Sequence, residues 1–172
     1  MTNLFKKGEH VMYASTGICV VDDITSQVFS QSDSERMYYI LKPVSKKGST
    51  VYVPLDSENL VSKIRRIITK DEIDFLLDDS CGKRIEWPDS KTERHGYFNE
   101  ILSGGNREEI VLLVRCMYKK KREKEDAKKH LTSGDETILK TAVRLINEEF
   151  SYALGCSEED VEEYIKERIS AQ

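Results

Sequence analysis

The sequence predicts an α+β fold, with a small antiparallel β-barrel of Tudor or SH3 type at the N-terminus and a compact α-helical bundle after it. Three observations predict it. Up to about residue 65, short β-prone runs alternate with polar, glycine-containing turns. From Thr69 onward the apolar residues recur instead at the spacing of a helix face. The 172 residues are 38% hydrophobic and 34% charged, which is enough for cores but only small ones.

The β-prone runs come in order. His10 to Ser15 follows Gly8, and Gly17 separates it from Ile18-Cys-Val-Val21. A further run covers Ile24 to Phe29, and the polar stretch Ser30 to Glu35 reads as a hairpin loop. Arg36 to Val44 is rich in aromatic and β-branched residues, and Lys46-Lys47-Gly48 is a turn. Thr50-Val-Tyr-Val53 is a strand that Pro54 ends, and Asn59 to Ile64 reads as one more. So many short strands joined by tight turns are most economically closed into a small, strongly bent barrel.

The helical half begins with a capping box, because Thr69 and Glu72 stand three apart at a helix start. Ile73, Leu76 and Leu77 mark one face of that short helix, and Asp79 to Lys83 reads as a linker. Tyr97, Ile101 and Leu102 supply the face of the next helix, which Ser103, Gly104 and Gly105 stop. Ile110, Leu113, Val114 and Met117 form another face, and His130 to Gly134 is a loop. Ile138, Leu139, Ala142, Leu145 and Ile146 repeat the pattern until Leu154 and Gly155. Ser157 to Asp160 opens the last helix, whose inner face is Val161, Tyr164, Ile165 and Ile169. The expected division is a β-domain over 1–66, a short helix and linker over 67–84, and a helical domain over 85–172.

Charge is unevenly spread. Residues 1–82 carry 10 basic and 12 acidic groups, 83–130 carry 13 and 9, and 131–172 carry 4 and 10. A basic middle in an acidic chain suits local rather than bulk contact with nucleic acid. The N-terminus lacks the apolar centre of a signal peptide and no run is long enough to span a bilayer, so the expected location is cytoplasmic.

Little in the sequence suggests catalysis. Cys19, Cys81, Cys116 and Cys156 lie far apart with no paired spacing, so neither a metal site nor a redox motif is expected. His10, His95 and His130 belong to no recognisable nucleophile or metalloprotease pattern, and there is no phosphate-binding glycine loop. No catalytic residue, metal, cofactor or small-molecule substrate is expected.

Two features point toward nucleic acid. Lys119, Lys120, Lys121 and Arg122 form a basic run at the end of a helix. Such a run can contact phosphates, or it can be a solvated helix end where cations favour the dipole. Trp87 is the one tryptophan and lies among polar neighbours beside Pro88. An indole there is either a core anchor or a platform that stacks on a base.

The ordered set of motifs resembles the CarD/CdnL family of bacterial regulators. Phe5-Lys-Lys-Gly-Glu-His-Val-Met-Tyr13 and Gly17-Ile-Cys-Val-Val21 resemble the family's opening, as do Tyr39-Ile-Leu-Lys42 and Thr50-Val-Tyr-Val-Pro54. Trp87, Tyr97, Ile101-Leu-Ser-Gly104, Val114-Arg115, Tyr118-Lys-Lys-Lys121 and Ile138-Leu-Lys140 follow in order. The resemblance implies a Tudor-like N-terminal domain, shared with transcription-repair coupling factor, that binds the β subunit of RNA polymerase. It implies a helical domain on promoter DNA at the upstream edge of the transcription bubble, where a tryptophan acts as a minor-groove wedge and stabilises the open complex. Trp87 matches the wedge, and Lys91 and Arg94 are the expected grips on adjacent phosphates. Gln27 and Tyr52 stand where many members carry arginines, so the expected polymerase contact rests on Gln27, Val28, Tyr52 and Pro54. Asp135 and Glu136 follow Gly134 where some members are basic, which argues against DNA contact there. A polymerase-bound adaptor whose helical domain recruits another protein is the alternative, and a small enzyme with an interdomain site is the alternative of a different class.

Overall fold

The computed structural model describes residues 4–29 and 34–170, with side chains through Glu167. Residues 30–33 of the expected loop from Ser30 to Glu35, and the side chain of Ile169, lie outside the described residues. The chain divides into two units, Met1–Ile67 and Ile68–Gln172.

The first unit is a five-stranded antiparallel sheet in the order β4-β3-β2-β1-β5. Its strands are β1 (His10–Tyr13), β2 (Gly17–Gln27), β3 (Arg36–Pro43), β4 (Val51–Pro54) and β5 (Ile64–Arg66). The expected break between Val21 and Ile24 is a β-bulge, so β2 is one strand of 11 residues. Val21 pairs with Leu41 and Asp23 with Ile40, leaving Asp22 as the extra residue. The bulge changes which residues point inward: Cys19 and Val21 before it, Ile24 after it. These join Val11, Tyr39, Leu41, Val53 and Ile64 in the core of this unit.

The expected closed barrel is not formed. β4 and β5 stand at opposite ends of the sheet order, and neither pairs with the other. The cause lies between them. The segment read as a strand from Asn59 to Ile64 is instead a helical turn, α1 (Glu58–Val61), followed by the three residues of β5. Leu60 and Val61 pack on the core from that turn. Pro54, at the end of β4, has no N–H to extend the ladder. The chain therefore crosses from one edge to the other without joining them.

The second unit holds α2 (Lys70–Asp79), α3 (Lys91–Gly104), α4 (Arg107–Asp126), α5 (Ser133–Leu154) and α6 (Glu158–Ser170). Each start is capped by a side chain of the kind the sequence offers. Thr69 and Glu72 make the reciprocal capping box of α2, while Ser90, Asn106 and Thr132 cap α3, α4 and α5. Gly105 and Gly155 end α3 and α5 at φ of 72° and 66°, where a side chain would be strained. α5 is the centre of the bundle and packs against α2, α3, α4 and α6. Its buried Ile138, Leu139, Ala142, Leu145, Ile146 and Phe150 meet Phe98 and Ile101 of α3 and Ile110, Leu113 and Met117 of α4 in a continuous apolar interior. On α3 the buried aromatic is Phe98, whereas Tyr97 lies at the surface. Glu149 of α5 is also fully buried, and accepts hydrogen bonds from Arg107 Nη2 at 2.7 Å and from the Ile68 amide at 3.1 Å.

Candidate nucleic-acid interface

Between α2 and α3 the chain runs without regular structure from Cys81 to Ser90, and Trp87 is carried on this segment. An irregular backbone needs partners to be ordered, and three cations of this unit provide them. Arg115 of α4 donates to the Ser80 carbonyl at 2.6 Å and to its hydroxyl at 3.0 Å. Lys83 bridges Asp79 and Glu108, each at 2.6 Å, and these bonds hold its ammonium protonated beyond the usual lysine range. Arg94 of α3 donates through Nη1 to the carbonyls of Pro88 and Asp89, at 2.9 and 3.2 Å.

The indole is half-buried. The Arg94 guanidinium lies over it, 4.6 Å from the ring centroid. Phe98 meets it edge to face, with centroids 5.6 Å apart and planes at 61°. Lys120 of α4 reaches to 5.8 Å from the same ring. These contacts make the ring a braced plate rather than a swinging side chain, and each cation–aromatic contact adds on the order of 1 kcal/mol.

Trp87 forms part of the wall of an open cleft of about 300 Å³. Lys83, Arg84, Arg115, Lys119 and Lys120 surround it, with Glu123 as the acid at its rim. Arg84 and Lys119 are exposed and have no carboxylate within ion-pair distance among the described residues, so their charge faces solvent. Cys116 also lines the cleft, and burial pushes its thiol up, away from the nucleophilic thiolate.

The predicted site residues separate accordingly. Lys119 and Lys120 line the cleft, and Lys120 also pairs with Glu123 at 3.0 Å. Successive helix positions are turned by about 100°, so Lys121 leaves the cleft and pairs with Glu136 of α5 at 3.5 Å, and Arg122 is carried past it. Lys91 is exposed at the first turn of α3. Arg94 is 5% exposed and bidentate to Asp135, so its guanidinium is occupied within the protein. Lys83, Arg84 and Arg115 were not among the expected site residues. The signal for Arg115 is its spacing, since it stands four residues before Lys119 on one helix face.

In the first unit the sequence-predicted contact residues meet at one end of the sheet. Gln27 closes β2 opposite Arg36, Tyr52 pairs with Ile40, and Pro54 pairs with Tyr38. Val28 is 54% exposed and Tyr52 43%. Beside them is an aromatic cluster that the sequence reading missed. Phe29 stands edge to face with Tyr38 and with Tyr52, at 5.3 and 5.0 Å between centroids. The signal was alternation, because Tyr38 and Ile40 of β3 share the outer face that pairing gives to Tyr52.

Residues 5–68 match the family model of the CarD-like/TRCF RID domain. The N-terminal unit is a CarD-like domain. By this match the unit is similar to the N-terminal domain of CarD/CdnL proteins, a domain family that is a non-catalytic regulatory module. The match ends at Ile68, where the helical unit begins. No curated protein matches the chain. Among the described residues no group of three or more His, Cys, Asp or Glu side chains is gathered as a metal site, and no helix is long and apolar enough to cross a membrane.

Proposed function

We propose that this protein regulates transcription initiation, its CarD-like domain docking on the β subunit of RNA polymerase and its helical unit holding promoter DNA at the upstream edge of the bubble. One observation carries the DNA half of this reading: the single tryptophan stands in the wall of a cleft whose charged lining residues are five cations and one carboxylate. Phosphates supply the matching charge, and an unpaired base supplies the matching surface for an indole edge. The cluster of exposed Phe29 and Tyr52 with the half-buried Tyr38, beside the edge strand β4, supports the polymerase half. Aromatic side chains anchor protein interfaces, and an open strand edge accepts a partner's backbone.

The energetics suit a modulator. Reannealing at the fork regains stacking of about 1.4 kcal/mol per step. A braced indole against the fork offsets a similar amount, because a base–aromatic contact is worth about 1–3 kcal/mol. That shifts the open–closed equilibrium roughly tenfold. Covalent linkage to a polymerase-bound domain raises the effective concentration of the cleft at the fork, so the cleft itself need bind only weakly.

The test is the lifetime of the open complex on a ribosomal RNA promoter with bacterial RNA polymerase, comparing wild type, Trp87→Ala and no factor. Wild type is expected to prolong the lifetime, and Trp87→Ala to lose most of that gain while still binding polymerase. Equal lifetimes with the two proteins would sink the DNA half of the reading. A second reading, in which the helical unit recruits another protein, is favoured by one observation. An apolar hollow of about 600 Å³ opens beside α4 and α6, floored by Leu77, Val111, Val143 and Ile146. Binding of forked DNA by the wild-type protein, lost in Trp87→Ala, separates the two.

A further inference from the structure

Arg94 and Asp135 are 41 residues apart, on α3 and at the first turn of α5, and both are buried. The guanidinium donates from Nε to Oδ1 and from Nη2 to Oδ2 of Asp135, each at 3.0 Å. The carboxylate is held in turn by the Thr132 hydroxyl at 2.7 Å and by His95 Nε2 at 3.1 Å. A buried pair of this kind ordinarily ties two helices together. Here the remaining edge of the guanidinium does something else. Its Nη1 donates to the carbonyls of Pro88 and Asp89, the two residues after Trp87, and its flat face covers the indole.

We propose that Asp135 is a positioning residue for Trp87, acting through Arg94. Asp135 sets the plane of the guanidinium from one side. That plane then fixes the backbone that carries the tryptophan and the tilt of its ring from the other. The carboxylate needs both oxygens for this, since a single bond would leave the plane free to rotate. A lysine in place of Arg94 would keep the charge but has neither the fork nor the flat face. What the indole is positioned for rests on the DNA reading above; that it is positioned does not.

The chain offers a direct readout, because Trp87 is its one tryptophan and fluorescence excited at the red edge, where tyrosine does not absorb, reports on that ring alone. The experiment uses the full chain as wild type, Asp135→Asn, Arg94→Lys and Glu149→Gln. Emission maximum, acrylamide quenching, far-UV circular dichroism and affinity for a short forked DNA duplex are measured for each. Glu149→Gln is the control, since it breaks another buried ion pair of the same unit, whose two residues are not among those that contact Trp87 or line its cleft. Asp135→Asn and Arg94→Lys are expected to shift Trp87 emission to the red, increase its quenching, and weaken forked-DNA binding roughly tenfold as the prepaid ordering of the ring is lost. Glu149→Gln is expected to lower stability with the emission unchanged. Should Asp135→Asn lose its helical signal, Arg94→Lys carries the same expectation with the buried charge retained. Unchanged emission and quenching in a folded Asp135→Asn or Arg94→Lys would overturn the proposal, as would an equal shift in Glu149→Gln. A shift in emission with no change in DNA affinity would uphold the positioning role and overturn the DNA reading of Trp87.

Discussion

Asp135 illustrates how far a single residue departs from what its position in the chain suggests. Burial alone would push its carboxyl up, but the hydrogen bonds from Arg94 and Thr132 and the charge of Arg94 more than reverse this, holding it at about 2 against an ordinary 3.8. A carboxyl depressed in the folded state stabilises the fold above its ordinary range and stops doing so as pH falls through its folded value. The contribution of Asp135 is therefore complete near neutrality and disappears between about pH 4 and pH 2. Measured by urea denaturation, the stability difference between wild type and Asp135→Asn should narrow by roughly 2 kcal/mol across that window; a constant difference would show that the carboxylate is not held as described. None of this is legible in the sequence. An acid after Gly134 reads as an obstacle to DNA, and Arg94 beside Trp87 reads as a surface cation. Their pairing depends on bringing α3 against the start of α5, which local spacing cannot reveal. Trp87 itself was legible, because a lone tryptophan among charged neighbours is unusual whatever the fold.

Elements were easiest to read where their ends carry chemistry. Thr69 and Glu72 announce α2, and both bonds of the box are present, with the Thr69 amide donating to Glu72 at 2.9 Å and the Glu72 amide to the Thr69 hydroxyl at 3.4 Å. Thr69→Ala should cost about 1 kcal/mol in chemical denaturation, the usual loss on removing such a cap, with Thr69→Ser close to wild type. Elements were hardest to read where apolar residues are adjacent rather than periodic. Leu60 and Val61 suit a strand by composition, yet a single helical turn packs both, partly buried, against the core. The polar pair Asp22 and Asp23 resembles a turn, but the bulge lets β2 continue with both at partial exposure, Asp22 meeting Lys42 at 2.9 Å. The barrel expectation failed with the last of the expected strands, Asn59 to Ile64, which begins as the helical turn α1, while the earlier β-prone runs do form strands.

For the whole molecule, net charge is a poor guide and local charge a good one. The chain carries −4 overall, yet the cleft beside Trp87 is cationic. Its contacts with DNA should therefore be few and salt-sensitive. With Arg84, Lys119 and Lys91 as the groups reaching phosphates, the logarithm of the binding constant for forked DNA should fall with the logarithm of salt at a slope of roughly −2 to −3. Anisotropy titrations over a salt series would show Arg84→Ala or Lys119→Ala flattening the slope by about one, and Trp87→Ala weakening binding without changing it. A slope near zero would mean the cleft does not meet phosphates. Under the proposed function, Trp87 would set how tightly the fork is held and the cations how strongly ions compete for it.

A sheet that ends rather than closes is also a template for its own copies. Two free edges invite one molecule to stack on another, strand against strand, into ever longer ribbons. The two ends of this sheet discourage that by different means. β5 is only three residues long, so it offers a second copy too few rungs for a ladder. β4 is four residues long and finishes in Pro54, which interrupts any ladder after a few rungs. An edge so short rewards a partner that brings extra surface, such as a pocket for the aromatic cluster of Phe29, Tyr38 and Tyr52 beside it, and gives little to one that brings backbone alone. An open sheet with edges this short favours partners that bring side-chain surface over further copies of the same strand.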